Sequence, residues 1–597
     1  MSQYRPQVAD LAFALEHVVG YPEIAAMPGF EHADLDTAVE LLEQCGEFMA
    51  GVVAPTNRAG DLEGARRLPD GSVVTPPGFK EAYAQYVDAG WGAVPLPEEF
   101  GGGGFPRTIG LAIQELMTSA NMAFALCPLL TQGAIEALLH YGSDELKQQY
   151  LPKMVTGEWS GTMNLTEPQA GSDVGALTTR AVKRADGSYA ITGQKIFITF
   201  GDHDMAEQIV HLVLARTPGA PAGTKGISCF IVPKFLMNDD GSLGERNGVQ
   251  TLSLEHKLGI HGSPTCVLSY DDATGYLIGD ENFGMRIMFV MMNSARLSVG
   301  MQGVAVAERA YQQSLDYAQE RLQGRAIGAE TDSPIIDFPD VRRMLMTQKT
   351  YLTAARRLML LNAAYVDRST NDPDPASRQR ANEIVGLLTP ICKSFGTDLG
   401  NELTSLALQI HGGMGFVEET GAAQHYRDVR ITAIYEGTNG IQAADLVGRK
   451  LGVRDGAAVM EFLATMREIG PELEAAGGDF DSIREELDRQ LGALEKATGW
   501  MLRTGRADPN AVLAGSVPYQ RMWGLCLGGW LMARSALAGL TIDDAEQAES
   551  QLVMARFYAE QLLPACAGLL GAATAGSRDL FALDADQLAD TARSRVR

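Results

Sequence analysis

Basic charge is what this sequence most lacks. Its 49 Lys and Arg face 74 Asp and Glu, which leaves a formal net charge of −25 over 597 residues. Nucleic acid and anionic membrane surfaces both reward a basic patch, so this balance argues against either as a partner. A local basic cluster is still compatible with a small phosphorylated ligand. Cysteine is scarce too. Seven are scattered at 45, 127, 229, 266, 392, 526 and 566, with no CxxC. That excludes a disulfide framework and reads as reduced cytoplasmic thiols, most of them small core residues. The opening "MSQYRPQVADLAFALEHVVG" has no basic segment followed by an apolar run, so no signal peptide is expected. The apolar stretch "GLCLGGWLMARSALAGL" is broken by Arg534 and is too short and Gly-rich to insert in a membrane. No GxGxxG follows a strand pattern and no GxxxxGK[ST] occurs. A nucleotide cofactor, if bound, is held some other way.

What is present is ordinary for a globular chain: 46% hydrophobic and 21% charged residues. The length is too great for one core and suggests three or four domains. After an extension over 1–35, residues 36–160 read mostly helical, for example "DLDTAVELLEQCGEFMAGVV". "PEEFGGGGFP" within that block is a turn by composition. The texture changes near 161. "RAVKRADGSYAITGQKIFITFG" is two alternating runs about Asp186-Gly187-Ser188, a hairpin signal, and "QIVHLVLAR" alternates again. "GISCFIVPKF" reads as a short buried strand and "TCVLSYDDA" closes a β domain over 161–282, with "MNDDGSLGERNG" as a loop in it. Helical patterns return over 283–452. There "VRRMLMTQKTYLTAARRLMLLNAAYV" carries an apolar stripe through Val341, Leu345, Leu352, Ala355 and Met359. Residues 453–597 form a further helical region, with Ile483, Leu487, Leu491, Leu494 and Met501 on one face. Helical blocks flanking one β insert do not suggest a doubly wound fold.

Four segments carry the candidate chemistry. "MNLTEPQAGSDVGALTTRA" lies where the first helical block meets the β domain. Alone it reads first as a polar turn, but Thr166, Gly171 and Ser172 also let a backbone approach a flat or phosphorylated ligand. In "KIFITFG", Phe197 and Thr199 share strand parity, which suits a half-buried strand or an aromatic ligand with a polar edge. In "YAQERLQGRAIG", Arg321 and Arg325 stand one turn apart if the helix continues that far, either as a solvated basic end or as phosphate ligands. The fourth is "LQIHGGMGFVEETGAAQHYRDVRITAIYEGTNGIQ". Its Gly412, Gly413 and Gly415 make a tight backbone segment. His411 reads as a packed or capping histidine, and no second His or Cys stands at metal-ligand spacing, so no metal is expected. Arg427 and Asp428 read as a local ion pair. Glu436, among Ala433, Ile434, Tyr435 and Gly437, is either exposed or held in a desolvated site that would make it a stronger base.

"LTEPQAGSD", "QIHGGMGF" and "RDVRITAIYEGT", in this order, resemble the acyl-CoA dehydrogenase family over about residues 36–450. The long lead and the region after 455 are similar to its extended subgroup with an extra C-terminal helical domain. That subgroup includes fatty acyl-CoA and 3-methylmercaptopropionyl-CoA dehydrogenases. The resemblance implies a mainly α fold with a central β-barrel-like domain, a C-terminal four-helix bundle and an additional helical domain, with FAD held between domains. It implies α,β-dehydrogenation of an acyl-CoA thioester, Glu436 as the α-proton base, and electron-transfer flavoprotein as acceptor; an oxidase using oxygen is the alternative. By motif, the resemblance assigns Thr166, Gly171, Ser172, Phe197, Thr199, Arg321, Gln323 and Thr438 to FAD, and Gln409, Gly412 and Gly413 to the FAD of a neighbouring subunit. Ser172, Arg296, Tyr435 and Gly437 go to substrate. Phe197 stands where many members have tryptophan, Gln323 where many have threonine, Gly324 where phenylalanine is common and Gly440 where glutamine is frequent. Extra helices that cover the tetramer surface imply a homodimer, and the dispersed thiols with no signal peptide make the expected location cytoplasmic. Met117, Met122 and Phe124 either shorten the acyl pocket or belong to the core, so straight-chain, branched and methylthio-propionyl substrates all stay open.

Overall fold

The computed structural model describes residues 3–589, so the first two residues of the N-terminal extension and the last eight of the C-terminal region lie outside the described residues. The chain divides into two compact units. One holds residues up to 16, 20–348 and 396–436; the other holds 17–19, 349–395 and the chain from 437 on. The chain passes between them inside the long helices Pro339–Asn371 and Pro375–His411, and again between Glu436 and Gly437.

In the first unit, helix Leu35–Phe48 begins where the Asp34 carboxylate accepts the Thr37 N–H at 2.8 Å, satisfying a donor that the first turn leaves open. The Gly-rich turn is a necessity of packing: a Cβ on Gly102 would sit 2.1 Å from the Leu96 carbonyl oxygen. Helices Arg107–Ala120 and Met122–Tyr141 are buried almost throughout. The second is the one helix among the described residues long and apolar enough to cross a membrane, and 89% of its apolar window is buried inside the protein. Met117, Met122 and Phe124 are core. The Phe124 ring packs against Phe79, Tyr83 and Tyr86 at 5.8 to 6.2 Å. A two-residue ladder, β1 (Arg66–Arg67) with β2 (Val73–Val74), interrupts this helical block. It is too short for an alternating pattern to reveal.

The strands that follow are β3 (Trp159–Asn164), β4 (Arg180–Lys183), β5 (Tyr189–Thr199), β6 (Gln208–Ala215), β7 (Ser228–Pro233), β8 (Phe235–Met237), β9 (Leu243–Arg246), β10 (Val249–Leu254) and β11 (Thr265–Ile278). Seven form one sheet in the order β3-β6-β7-β11-β5-β4, with β10 also on β11. β11 is long enough to serve two halves: it pairs with β5 as far as Gly275 and with β7 from Tyr276 on. The expected hairpin is there, with Lys183 opposite Tyr189 and Gly187 at φ 91°. β6 is buried on both faces rather than one. Val210, Leu212 and Leu214 enter a core shared with the helices, while Val213 and Ala215 enter the core between the sheet halves. The segment "MNDDGSLGERNG" is a hairpin and not a plain loop, because β8 and β9 pair across it with Phe235 opposite Arg246. β3 joins β6 in parallel; the other ladders are antiparallel.

Helix Gly284–Glu320 crosses Pro375–His411 on glycine at Gly303 and Gly396. A Cβ on Gly303 would lie 2.2 Å from the Gly396 carbonyl oxygen. In the second unit, the expected stripe Ile483, Leu487, Leu491, Leu494 and Met501 is buried along helix Asp481–Gly505. "GLCLGGWLMARSALAGL" belongs to helix Ser516–Gly539, packed so closely that a Cβ on Gly524 would meet the Phe395 ring at 2.2 Å. All seven cysteines are buried and unbridged. The chain is thus mainly helical with a central sheet and an additional C-terminal helical region.

Candidate active site

The loop between β3 and β4 is organised by a residue that the sequence alone did not single out. Glu167 is buried and accepts six hydrogen bonds. One oxygen takes the Thr179 N–H and hydroxyl and the Lys195 ammonium at 3.1, 2.6 and 2.8 Å. The other takes Gln169 Nε2 and the Thr178 N–H and hydroxyl at 2.7, 2.7 and 2.9 Å. Burial opposes the charge, but Lys195 and these donors hold the Glu167 carboxyl well below the usual range. Lys195 is fully buried on β5 and also donates to the Leu165 carbonyl at 2.9 Å. The signal was present in "LTEPQAGSD" as a carboxylate among small residues, with the lysine of "GQK" 28 positions after it.

That pair locks the loop to the strand bearing Phe197 and Thr199. The Ile196 N–H donates to the Thr166 carbonyl at 3.0 Å, and the Thr162 hydroxyl donates to the Thr199 carbonyl at 2.7 Å. So Thr166, Phe197 and Thr199 are brought together. Strand parity does not decide how Phe197 faces, because a bulge falls there: Cys266 pairs with Ile198 but Leu268 pairs with Lys195. Phe197 takes φ 59° and leaves its ring 58% exposed, while Ile198 turns into the core. Gly171 and Ser172 are exposed on the loop.

Glu436 is half-buried, between the two readings of it. Its backbone is left-handed at φ 57°, and Gly437 follows at φ 82°. A non-glycine residue there costs about 1–2 kcal/mol and persists only when its surroundings hold it. The turn Arg430–Ala433 precedes it, and the Ile431 carbonyl accepts from both Ile434 and Tyr435 at 2.8 and 3.1 Å. The Tyr435 phenol donates to Gln302 Oε1 on helix Gly284–Glu320. Burial first, then the Glu436 carboxylate, push that phenol above its ordinary pKa. Arg296 is buried on the same helix and donates to Asn293 at 3.3 Å. Gly437 and Thr438 belong to the second unit, where Thr438 caps helix Asn439–Asp445 by accepting from the Ile441 N–H at 3.3 Å.

A third group sits where that long helix ends. The helix stops at Glu320, so Arg321 and Arg325 are not a helical turn apart. Arg321 donates across the turn to Gln323 at 3.2 Å, and Arg325 lies 4.0 Å from Asp332. The Tyr317 ring stacks on His411 at 4.7 Å, so the end of the helix that leads to Arg321 and Gln323 packs on the end of the helix that leads to Gly412 and Gly413 and carries Gln409. His411 is packed, as expected, with Nδ1 2.7 Å from the Ala407 carbonyl. Among the described residues no cluster of His, Cys, Asp or Glu is placed to hold a metal ion.

Arg427 and Asp428 are not partners of one another. Adjacent helical residues point about 100° apart, and these two reach opposite neighbours. Arg427 forks onto both Asp61 oxygens at 2.7 and 2.8 Å and reaches Glu418 at 3.1 Å. Asp428 accepts from the Ile260 N–H and from Gln424 at 3.2 Å, and burial raises its pKa to about 6. His261 joins Asp61 at 3.0 Å, and the hydrogen bond to that carboxylate raises its pKa to about 9. Helix Ala422–Val429, which leads to Glu436, is tied down this way. The cavity beside it, lined by Met122, Arg309, His425 and Asp428, measures about 10 Å³, on the order of one water and far too small for an acyl chain.

The residues present fit FAD. A flat ring would find an aromatic side chain left exposed at the Phe197 bulge. Phosphates suit the exposed Arg321 beside a glycine backbone where a Cβ on Gly412 or Gly413 would meet nothing within 4 Å. Comparison with known proteins agrees. The acyl-CoA dehydrogenase N-terminal, middle and C-terminal domain families match residues 36–158, 162–273 and 282–451. The family described as "Acetyl-CoA dehydrogenase C-terminal like" matches 457–584. The 3-methylmercaptopropionyl-CoA dehydrogenase of Ruegeria pomeroyi is 47% identical over 94% of this chain and 96% of its own. The broad-specificity linear acyl-CoA dehydrogenase FadE5 of Mycobacterium tuberculosis is 35% identical over 94% and 96%. The Bacillus anthracis acyl-CoA dehydrogenase, solved with FAD, superposes with a TM-score of 0.72 over 94% of this chain and 90% of that one; at 20% identity this shows the fold alone. The protein is therefore an FAD-dependent oxidoreductase. The chain belongs to the acyl-CoA dehydrogenase family.

Proposed function

We propose that this enzyme removes two hydrogens across the Cα–Cβ bond of an acyl-CoA thioester to give the trans-2-enoyl-CoA, with Glu436 as the base. The observation that carries this reading is the setting of Glu436: a half-buried carboxylate held left-handed between an anchored tyrosine and a glycine. A thioester α-C–H is a weak acid and needs a positioned base beside a site that stabilises the enolate. Glu436 accepts the α-proton, and the side-chain-free Gly437 leaves space next to the thioester. FAD, when bound, supplies the acceptor for the hydride that leaves the β-carbon. Thr166, Gly171, Ser172, Phe197 and Thr199 would hold its flavin side, and Thr438 is assigned to FAD by the resemblance alone. Arg321 and Gln323 would hold its phosphates, and Gln409, Gly412 and Gly413 would reach the FAD of a neighbouring subunit. Ser172, Arg296 and Tyr435 would orient the thioester and its CoA arm.

The higher identity to the 3-methylmercaptopropionyl-CoA dehydrogenase, 47% against 35% for the linear acyl-CoA enzyme, supports a methylthio-propionyl thioester as the substrate. Electron-transfer flavoprotein is the acceptor that the resemblance implies. The same reading makes the protein a cytoplasmic homodimer with domains over 36–160, 161–282, 283–452 and 453–597; a tetramer mass by light scattering would contradict the dimer. The test is product analysis. Purified enzyme with an artificial electron acceptor is given 3-methylmercaptopropionyl-CoA and straight-chain thioesters of increasing length. Mass spectrometry should find a product lighter by two hydrogens, formed fastest from the methylthio-propionyl thioester. Loss of no hydrogens from any thioester refutes the reaction. Hydrogen peroxide formed in step with product, without an added acceptor, would make the enzyme an oxidase.

A further inference from the structure

Gln302 lies in the most deeply buried stretch of helix Gly284–Glu320 and is itself fully buried. Its Oε1 accepts from the Tyr435 phenol, across 133 residues of sequence. Its Nε2 has no hydrogen-bond partner among the described residues. Exchanging the amide O and N would leave the oxygen unmatched instead, so the orientation does not remove the problem. A buried amide satisfied on one side only is a destabilising choice for a core position. Leucine or methionine would fill the same space without that cost, so its retention needs a reason outside packing.

The geometry supplies one. Tyr435 is the residue before Glu436, and Glu436 holds the strained left-handed backbone. The turn behind it is fixed by the Ile431 carbonyl. The helix under Gln302 has no freedom to shift, because the neighbouring Gly303 lies against the Gly396 carbonyl. A rigid helix therefore holds an amide, the amide holds a phenol, and the phenol fixes the residue from which the base departs. We infer that Gln302 is a positioning residue for the proton-transfer step: through Tyr435 it holds Glu436 in the backbone conformation that presents its carboxylate to the α-carbon. Gln302 does not touch the reacting atoms. This inference rests on Glu436 being the base.

The test isolates the proton step. A 3-thia-acyl-CoA carries sulfur in place of the β-carbon and cannot be dehydrogenated, but its α-protons remain acidic. In D₂O, deprotonation and return of solvent deuterium raise its mass, which follows the base alone. Holoenzymes of wild type, Gln302→Met, Tyr435→Phe, the double variant and Glu436→Gln are compared at equal bound flavin. Gln302→Met and Tyr435→Phe should each slow exchange at least 10-fold, with thioester Kd in Gln302→Met changed less than twofold. The double variant should be no slower than the slower single one, because both remove the same bond. Exchange unchanged in both single variants overturns the inference, as does a double variant whose losses multiply. If Gln302→Met fails to retain flavin, Tyr435→Phe, which removes one oxygen, decides by the same criterion. Exchange that persists in Glu436→Gln fails the assignment of the base itself, a separate outcome.

Discussion

Glu167→Gln is the sharpest perturbation of the loop and strand that would carry the flavin. The change is isosteric and removes one charge. Whichever carboxylate oxygen becomes NH₂ then faces three donors. On one side these are Thr178 N, the Thr178 hydroxyl and Gln169; on the other they are Thr179 N, the Thr179 hydroxyl and Lys195. At least one backbone N–H loses its acceptor, and the Lys195 ammonium stays fully buried without a counter-charge. Breaking one side of a buried pair costs about 3–5 kcal/mol, roughly 100- to 1000-fold or more in a local opening equilibrium. The chain has two compact units, so a single global melting curve would blur this. Native-state hydrogen exchange resolves it: the Thr178 and Thr179 amides should lose protection by that factor, with strands distant from the loop unchanged. Adding Lys195→Met removes the stranded charge and should recover about 1–2 kcal/mol. Protection within threefold of wild type in Glu167→Gln would refute the claim that this carboxylate organises the loop.

Four further outcomes follow from other contacts. His261 has its pKa raised to about 9, chiefly by the hydrogen bond it donates to Asp61. Its contribution is therefore complete below the unfolded value near 6.5 and is lost as pH rises through about 9; urea midpoints between pH 6 and 10 should fall in wild type and flatten in His261→Gln. Arg427→Lys should destabilise almost as much as Arg427→Met, by about 3 kcal/mol, because the fork onto both Asp61 oxygens cannot be made by an ammonium; full retention of stability in Arg427→Lys contradicts this. Gly303→Ala should cost about 1–3 kcal/mol in thermal unfolding by overpacking against Gly396. Gly413→Ala meets open space and should leave stability within about 0.5 kcal/mol while raising the FAD dissociation constant.

The periodic elements were legible because periodicity is local. The helix Asp481–Gly505 stripe and the Asp186–Ser188 hairpin need only nearby residues to declare themselves. What escaped was set by partners distant in sequence or by backbone geometry without a residue signature. β8 and β9 are three and four residues long, too short to alternate, so their hairpin read as a loop. β6 looked half-buried because a strand between two cores and a strand with one wet face can share a pattern. The bulge at Phe197 and the left-handed turn at Glu436 fall on residues that do not advertise positive φ. Arg427 and Asp428 misled through adjacency, since neighbours on a helix diverge. The candidate site residues stood out as motifs, whereas Glu167 and Lys195, which tie the loop to its strand, and Gln302, which accepts from Tyr435, emerged only from hydrogen bonds.

The central claim is that Glu436 starts the oxidation of an acyl-CoA thioester at a bound flavin. The most direct measurement is anaerobic. Purified wild type and Glu436→Gln, each with bound FAD, are titrated with 3-methylmercaptopropionyl-CoA while the visible flavin absorbance is followed. Wild type should bleach within the mixing time scale, and the variant should bleach roughly 10²- to 10⁴-fold more slowly, as expected for loss of a general base. Equal bleaching in both proteins, or flavin that no thioester reduces, would contradict the account.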